Sequence, residues 1–310
     1  MKIGNHSFGD LVPYEDHHIP AFPYIVAEAG GNHNASLAKA LALCDMAKAA
    51  GASAIKFQKR TPEKCVPRDQ WDERRTTPWG YMTYIAYRHM MEFGKKEYDA
   101  INDHCRSIGL DWFVSVWDIE SVDFMEQYDP IAYKIPSACL TDDGLLERIR
   151  ATGRPKILST GMSWPQEIMD ATKILSPKDG EHVILCQTTS SYPTPPREVQ
   201  LNYLPFLRGL GPSGGTLSGY SGHEQGWIPT LGAVALGAVY IERHFTDDKS
   251  QWGSDQSISL EPSEFTQMVA DIRAMHVSLG AGVKKVWKSE LRAMDKLRLH
   301  TGRIQKKAKV

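Results

Sequence analysis

Two short segments, Ser-Gly-His-Glu at residues 221–224 and Ile-Glu-Arg-His-Phe-Thr at residues 241–246, indicate both the fold and the chemistry of this chain. Each adjoins a short apolar run typical of a buried strand, and each presents a histidine where that strand would end. In a barrel of parallel strands, catalytic side chains lie at that end. Two neutral imidazoles converging from adjacent strands make a divalent-metal site. The pair His223 and His244 therefore predicts a metal-dependent enzyme.

Short apolar runs alternate with amphipathic helical patterns from residue 24 to residue 280. Runs of this kind are expected for parallel strands covered on both faces. Eight strand–helix repeats in about 250 residues predict an α/β fold, a (β/α)8 TIM barrel. A doubly wound open sheet is the alternative, and the absence of G-x-G-x-x-G after the first strand weakens its dinucleotide-binding form. The predicted strands are residues 24–29, 53–57, 111–115, 131–135, 156–159, 182–187, 216–219 and 239–243.

The predicted organisation is an N-terminal extension (1–22), a barrel domain (23–290) and a C-terminal helix with a basic tail (291–310). The predicted helices are residues 36–50, 95–108, 119–127, 142–152, 165–175, 227–236 and 262–279. The connection from Gln58 to Lys95 is unusually long and rich in Trp, Tyr and Arg. Long irregular loops in compact domains are usually functional. This one is expected either to pack over a polar ligand such as a sugar or simply to cover the barrel rim.

The composition of the chain limits the classes of partner that it is expected to bind. The formal net charge is -1, so no overall field attracts nucleic acid or an anionic membrane. An anionic substrate must therefore be bound by local lysines, backbone amides and helix N-termini. The five cysteines lack C-x-x-C spacing, and the first residues lack the apolar core of a signal peptide. We expect a cytoplasmic enzyme with reduced thiols that binds neither membrane nor nucleic acid.

Charged residues inside predicted strands indicate a polar barrel interior. Glu28 lies in the first apolar run, where a buried carboxylate needs a cation or hydrogen-bond donors. Lys56 and Gln58 are two residues apart and therefore share a face of the second strand. Lys56 requires an anion, which is either a substrate phosphate or carboxylate, or Glu28 itself. Both pairings are compatible.

The fourth strand repeats this pattern with Lys134, followed by the hydroxyl of Ser137. Two interior lysines, together with Ser159 and the turn that follows it, predict one phosphate pocket of ammonium groups, hydroxyls and amides. The hydroxyl run after the sixth strand, residues 188–191, is a further candidate for binding phosphate or sugar. The proline-rich residues that follow it are typical of a stiff loop.

The histidine pair favours a particular metal chemistry. Two His ligands completed by water and substrate oxygens suit Mn²⁺ or Mg²⁺ better than structural zinc. Glu242 shares a face with His244 and is predicted to orient it. Asp255 lies on the last loop, where it is expected to bind a sugar hydroxyl or the metal. The chain contains neither a G-x-S-x-G elbow nor a P-loop.

The ordered set of these motifs resembles the sialic acid (N-acetylneuraminate) synthase family over residues 22–290. The matching segments are AE at 27–28, GNHN at 31–34, IKFQ at 55–58, KIPS at 134–137, LSTGM at 158–162, SYPTP at 191–195, YSGHE at 220–224 and ERHFT at 242–246. Because the motifs occur in order along most of the chain, the resemblance is far more specific than any single one of them.

The resemblance implies a TIM barrel that condenses phosphoenolpyruvate with an N-acylated amino sugar, commonly N-acetylmannosamine, to a nonulosonic (sialic-type) acid and releases phosphate. By position, it assigns the phosphate end of phosphoenolpyruvate to Lys56, Lys134, Ser137, Ser159, Ser190 and Ser221. It implies that Gln58 contacts the carboxylate or the sugar, that Tyr192 and Asp255 contact the sugar, and that His223 and His244 hold Mn²⁺. Family members commonly dimerise, so a homodimer is expected.

Three departures from the family pattern leave alternatives open. Cys139 stands where the family usually has Glu or Asp, so Asp118, Asp142 or Glu28 is expected to take over proton transfer. Val116 stands where many members have threonine. The sequence ends before the small antifreeze-like domain of many members could form. The alternatives are a metal-dependent pyruvate aldolase and a non-catalytic barrel that binds sugar or phosphoenolpyruvate.

Overall fold

A closed ring of eight parallel strands forms the centre of the computed structural model, which describes residues 1–8, 11–14, 17–176, 182–210 and 216–298. Numbered along the chain, the ring strands are β1 Tyr24–Gly30, β2 Ala54–Lys59, β3 Asp111–Val116, β4 Tyr133–Ile135, β5 Lys156–Ser159, β6 Val183–Gln187, β7 Thr216–Gly222 and β8 Tyr240–His244. Each strand pairs with its sequence neighbours, and β8 pairs with β1 to close the ring. The predicted (β/α)8 barrel is confirmed.

Helices follow the strands and cover the outside of the ring. They are α1 Leu37–Ala49, α2 Lys95–Ile108, α3 Ile119–Met125, α4 Asp143–Ala151, α5 Pro165–Leu175, α6 Leu204–Leu207, α7 Ile228–Ala235 and α8 Pro262–Leu279. In α1, the buried residues Ala40, Leu43, Cys44 and Ala47 follow the helical period and face the barrel. The hydroxyl of Ser36 caps this helix by accepting the Lys39 amide at 3.3 Å.

The interior of the ring is divided into an apolar layer and a polar layer. Side chains alternate in and out along each strand, so every second residue points inward. Toward the N-terminal ends, the inward side chains are apolar and include Tyr24, Phe113 and Tyr240. Toward the C-terminal ends they become polar and include Lys56 and Glu242. The N-terminal end of the barrel is therefore filled by apolar side chains, and the C-terminal end is lined by polar and charged side chains.

Several short elements lie outside the ring of strands. A hairpin of Lys2–Ile3 and His6–Ser7 packs Ile3 and Phe8 against the apolar layer. A second hairpin joins Leu11–Tyr14 to His17–Pro20. Three-residue helical turns occur at Glu126–Tyr128, Ser137–Cys139, Pro196–Glu198, Leu201–Tyr203 and Gln256–Ile258. The C-terminal helix is Lys288–Leu297, which begins before the predicted residue 291, and most of the predicted basic tail, residues 299–310, lies outside the described residues.

The long connection between β2 and α2, residues 60–94, is called the insert below. Sequence patterns predicted an irregular loop here, but the structure shows regular elements. It contains the helix Pro62–Cys65, the turn Arg68–Gln70, a hairpin of Arg74–Thr77 with Gly80–Thr83, and the helix Tyr84–Met91. The hairpin and the second helix are joined by the Arg75 guanidinium, which stacks 3.6 Å from the Tyr84 ring. This polar packing has no apolar period, so the sequence gives no signal for it.

Candidate active site

A cavity of about 410 Å³ opens at the C-terminal end of the barrel. The residues assigned to phosphoenolpyruvate, sugar and metal all line this cavity, as does Glu28. Residues from all eight strands, or from the loops that follow them, contribute to its walls. The barrel end that the sequence analysis selected is therefore the end where these groups meet.

The base of the cavity, called the floor below, consists of Glu28, Lys56, Lys134 and Glu242. The Lys56 ammonium lies 2.5 Å from a Glu28 carboxylate oxygen and 3.5 Å from Glu242. It also donates to the Ser115 hydroxyl at 2.5 Å. Lys134 donates to both oxygens of Glu242, at 3.0 and 3.2 Å. The floor therefore carries two cations and two anions, so its formal charges cancel.

Glu242 is the centre of this network. It also accepts hydrogen bonds from Tyr240 at 2.6 Å and from Ser221 at 3.3 Å. Burial favours a raised pKa for the Glu242 carboxyl, but Lys134 and Lys56 outweigh it and hold the pKa below its usual range. Glu242 was predicted to orient His244, but its charged partners are Lys134 and Lys56. Glu242 instead holds the two interior lysines, because its side chain reaches across the barrel to β4.

Three hydroxyls form a second wall of the cavity, called the serine wall below and made of Ser137, Ser159 and Ser190. The Gly161 amide donates to the Ser137 hydroxyl at 3.0 Å. A Cβ on Gly161 would lie 2.9 Å from that hydroxyl and would overlap the Ser190 hydroxyl. Thr188 donates to Ser159 at 3.3 Å. The turn after β5 thus needs glycine so that hydroxyls from three successive strand ends can converge.

The two predicted metal-binding histidines lie together, with ring centroids 5.4 Å apart. His223 Nδ1 lies 2.8 Å from the Thr189 carbonyl oxygen, which places its proton on Nδ1 and leaves a lone pair on Nε2. Burial, with the adjacent His244, lowers the pKa of His223 to about 3, so the ring is neutral at physiological pH. His244 Nδ1 is buried and has no hydrogen-bond partner among the described residues, and the nearest Asp255 oxygen lies 3.9 Å away.

These donors fit a divalent metal whose coordination is completed by ligands from outside the protein. Neutral imidazoles are the form that binds metals. Among the described residues, no group of three or more His, Cys, Asp or Glu side chains is arranged to hold a metal. Two histidines therefore leave most of the coordination sphere open for water and substrate oxygens.

Tyr192 and Asp255 lie at the mouth of the cavity beside the histidines. The Tyr192 ring stacks on His223 at 4.2 Å and meets His244 edge-on at 6.1 Å. About half of the Tyr192 side chain, 48%, remains exposed. Burial favours a raised pKa for Asp255, but His244, Ser254 and His223 together lower it. This side of the mouth therefore offers an aromatic face and a carboxylate to a polyhydroxylated ligand.

Cys139, the departure from the family pattern, does not face the cavity. It is buried, its thiol points toward the Trp117 carbonyl oxygen at 3.6 Å, and burial raises its pKa to about 12. Two of the three residues expected to take over proton transfer also lie outside the cavity lining. Asp118 caps α3 through Ser121 and binds Thr61, while Asp142 is exposed and caps α4. Of the three, Glu28 alone lines the cavity.

The sequence analysis missed several polar residues of the cavity. Arg60 continues the inward alternation of Lys56 and Gln58, so the period-two pattern could have identified it. It donates to the Gln58 side-chain oxygen, while Gln58 donates to Glu28 at 2.9 Å. His33 stacks on Phe93 at 4.1 Å and lines the same cavity. Arg88 of the insert also lines it, and no sequence signal places this helix at the mouth.

Comparisons with known proteins identify the family. The sequence matches the NeuB family over residues 43–284, well over half of the chain. This chain belongs to the NeuB family. It is 33% identical over 276 residues to N-acetylneuraminate-9-phosphate synthase of Homo sapiens, covering 88% of this chain and 76% of that protein. It is 32% identical over 283 residues to N,N'-diacetyllegionaminic acid synthase of Campylobacter jejuni, covering 88% and 82%.

Solved structures agree with this membership. The fold of this NeuB-family chain is similar to that of N-acetylneuraminic acid (sialic acid) synthetase from Leptospira borgpetersenii in complex with citrate. The TM-score is 0.78 at 28% identity, covering 96% of this chain and 100% of that chain. The predicted family resemblance is confirmed. None of the helices in the described residues is both long and apolar enough to span a bilayer.

Proposed function

We propose that this protein condenses phosphoenolpyruvate with an N-acylated amino sugar, such as N-acetylmannosamine, to a nonulosonic acid and releases phosphate. The observation that supports this most directly is the arrangement of the serine wall and the histidine pair around one cavity. One wall offers hydroxyls to a phosphate, and the other offers two imidazoles to a metal. The names of the relatives, which are synthases of sugar acids of this kind, support the same reaction.

At the phosphate end, the serine wall and the floor lysines act together. Ser137, Ser159 and Ser190 donate to the phosphate oxygens. Lys134 adds positive charge below them, and Ser221 lies on the same side of the floor. Glu242 neutralises part of that charge through its contacts with Lys134 and Lys56. Charge that develops on the departing phosphate is stabilised by the same donors.

At the sugar end, His223 and His244 hold a divalent metal, Mn²⁺ in this proposal. When bound, the metal supplies Lewis acidity at the sugar aldehyde. Tyr192 and Asp255 position the sugar beside it. Gln58, fixed by Arg60 and Glu28, donates to the carboxylate of phosphoenolpyruvate or to the sugar.

The reaction forms one carbon–carbon bond and consumes one water. The enol carbon of phosphoenolpyruvate attacks the aldehyde carbon of the open-chain sugar, and the aldehyde oxygen takes up a proton. Water then adds to the cationic C2 and gives up a proton, for which Glu28 is the acceptor that faces the cavity. Phosphate leaves as C2 becomes a ketone. Lys56 holds the Glu28 carboxylate in place through this step.

The test measures phosphate release from phosphoenolpyruvate with a panel of N-acyl hexosamines, with and without Mn²⁺. Release is expected only when sugar and metal are both present. His223→Ala and His244→Ala are expected to lose bound metal and turnover together. His104→Ala is the matched control, because His104 pairs with Asp45 on the surface and away from the cavity. Metal content is measured on the purified proteins.

Three outcomes would contradict the proposal. Product formation from free pyruvate without phosphate release would indicate an aldolase. Tight binding of phosphoenolpyruvate with no turnover on any sugar would indicate a binding protein. Unchanged metal content in both cavity variants would refute the metal ligands, whatever the activity.

A further inference from the structure

A buried ion pair, called the outer pair below and made of Glu224 and Arg243, adjoins the two histidines along the chain. Glu224 directly follows His223, and Arg243 directly precedes His244. Because side chains alternate along a strand, Arg243 points away from the cavity that His244 faces. The side chains of the outer pair are nevertheless fully buried, and neither is among the residues that line the cavity. The proposed reaction gives them no role.

The outer pair is held from several directions. The Arg243 guanidinium donates to the Glu224 carboxylate at 2.7 Å and to the main-chain oxygen of the same residue at 2.6 Å. Tyr220 donates to the other carboxylate oxygen at 2.7 Å. Thr230 of α7 accepts a further hydrogen bond from Arg243 at 3.0 Å. These contacts fix the segment that follows His223 against the strand that carries His244.

The ladder of hydrogen bonds between β7 and β8 ends just before the first histidine. The last register pair of the two strands joins Gly222 to Arg243. His244 continues to pair with β1, whereas His223 lies beyond the end of β7. The separation of the two histidines is therefore set by contacts outside the ladder. The bonds from Arg243 to Glu224 carry the connection past the end of the ladder and across the position of His223.

The glycine of the Ser-Gly-His-Glu segment makes room for the outer pair. A Cβ on Gly222 would lie 2.5 Å from a Glu224 carboxylate oxygen and 2.6 Å from the Tyr220 ring. Both distances are shorter than van der Waals contact, so a side chain at this position would displace the carboxylate or the ring. The outer pair therefore accounts for a glycine beside the first histidine.

Stability alone is a weak reason for an ion pair in this place. Removing two charges from water is costly, and the cost is recovered only where the remaining donors and acceptors are satisfied. Arg243 Nε is buried and has no partner among the described residues. Apolar side chains of similar volume often stabilise such positions at least as well. Beyond packing, the ion pair supplies a directional link between the segments that carry the two histidines.

We propose that Glu224 and Arg243 are positioning residues that set the separation of the His223 and His244 rings, and thereby the affinity of the histidine pair for a divalent metal. The inference rests on the proposed function for the metal ligands. Two ligands from separate segments bind one ion only when their lone pairs converge on it, so a shift of either ring weakens binding. Residues that orient metal ligands typically contribute about tenfold to a hundredfold to metal affinity.

The experiment measures metal binding in variants that keep both histidines. Glu224→Met combined with Arg243→Met replaces the outer pair by apolar side chains, which is expected to preserve folding. Tyr220→Phe removes one hydrogen bond to the Glu224 carboxylate and keeps the aromatic ring. The EPR signal of free Mn²⁺ gives the Kd of each protein, and denaturant unfolding gives its free energy of unfolding.

A second cluster of tyrosine, glutamate and arginine provides matched controls. Tyr133 donates to Glu126 at 2.7 Å, and Arg154 donates to the same carboxylate at 2.9 Å. None of the three is among the residues that line the cavity. Glu126→Met combined with Arg154→Met, and Tyr133→Phe alone, repeat the same chemical changes there. These control variants are expected to keep the Mn²⁺ Kd of the wild type.

Cu²⁺ is the second probe, because it binds nitrogen ligands more tightly than the other divalent ions of its series. Pulsed EPR counts the imidazole nitrogens bound to Cu²⁺, and His223→Ala provides the correction for surface sites. The wild type is expected to bind Cu²⁺ in the cavity through two imidazoles, and the double variant of the outer pair through one. This readout reports the geometry of the histidines without requiring turnover.

We expect the double variant of the outer pair to raise the Mn²⁺ Kd about tenfold or more, and Tyr220→Phe to raise it about threefold. A folded double variant that keeps the wild-type Kd and two bound imidazoles would overturn the inference. If the double variant does not fold, the comparison of Tyr220→Phe with Tyr133→Phe decides. Equal Kd values in those two proteins would then overturn it.

The outcomes separate this inference from the proposed function. Phosphate release by the wild type, together with an unchanged Kd in the folded double variant, would keep the synthase and remove the positioning role. A two-imidazole Cu²⁺ signal that depends on the outer pair, without phosphate release from any sugar, would keep the positioning role and remove the synthase. A wild type that binds neither ion at the histidines would overturn both.

Discussion

The floor of the cavity and its mouth differ in whether their buried polar groups find partners within the protein. In the floor, Glu28 and Glu242 satisfy Lys56 and Lys134 within the protein. At the mouth, His244 Nδ1 is buried without a partner, and Arg88 meets no carboxylate in the described part of the chain. A satisfied network stabilises the fold, whereas unsatisfied donors and acceptors are available to ligands. The comparison indicates that the floor holds the barrel together and that the mouth selects what enters it.

Removing the centre of the floor network is expected to have the largest effect on stability. Glu242→Gln leaves Lys56 and Lys134 without their shared anion in a buried setting, which costs about 3–5 kcal/mol of the free energy of unfolding. Glu120→Gln is the control, because Glu120 forms an exposed ion pair with Lys64 and its loss costs less than about 1 kcal/mol. Denaturant unfolding of both variants measures the difference. Equal losses would mean that the floor does not stabilise the fold.

The next effect concerns His33, a cavity residue that is buried and neutral. Burial, with a contribution from Lys39, lowers its pKa to about 3, below the usual 6.5 of an unfolded chain. At a pH between these two pKa values, His33 is protonated in the unfolded state but not in the folded state. The free energy of unfolding therefore falls as the pH falls below 6.5. At pH 5 this effect of His33 lowers the free energy of unfolding by about 2 kcal/mol relative to its value at neutral pH.

The measurement is the stability gap between wild type and His33→Gln at two pH values. At pH 7.5 the variant is less stable, because it loses the stacking on Phe93. At pH 5 the gap is expected to narrow by about 2 kcal/mol, since glutamine does not titrate. A gap that is the same at both pH values would show that His33 is not held neutral by burial.

The serine wall provides a smaller test that affects binding more than folding. Gly161→Ala places a Cβ against the hydroxyls of Ser137 and Ser190 and displaces them. The KM for phosphoenolpyruvate is expected to rise about tenfold, because the donors lose their alignment. Gly144→Ala serves as the control, since its Cβ meets nothing closer than 3.6 Å. An unchanged KM in Gly161→Ala would remove the serine wall from the phosphate site.

The smallest effect is expected at Cys139. Because burial raises the pKa of its thiol to about 12, it stays protonated at neutral pH and points away from the cavity. Cys139→Ala is therefore expected to keep turnover within about twofold of the wild type. A loss of tenfold or more would show that the thiol takes over the role of the family's usual carboxylate.

Much of the fold was predictable because parallel strands leave a strong local pattern. Strands such as β5 and helices such as α2 and α8 match their predicted limits, and the other predicted strands differ at their ends by one to three residues. Inward-facing polar residues were found for the same reason, since alternation fixes the face of Lys56, Lys134 and Glu242.

The contacts across the barrel could not be predicted. Lys134 and Glu242 are 108 residues apart in sequence and lie on opposite strands of the ring, so no local pattern indicates that they meet. The insert was missed because its hairpin and helix are held by stacking of arginine on tyrosine rather than by an apolar period. Arg88 therefore entered the site only through three-dimensional packing.

The insert leaves the barrel after β2 and returns at α2, and its start is tied to the neighbouring helix through the hydrogen bonds of Thr61 to Asp118. Both attachment points lie on the rim, so the segment between them can be exchanged as a cassette while the strand register stays intact. The insert is therefore a segment that can be transferred to another barrel of this family. A chimera that received only this cassette would inherit the arginine-bearing side of the entrance and keep the catalytic machinery of its host.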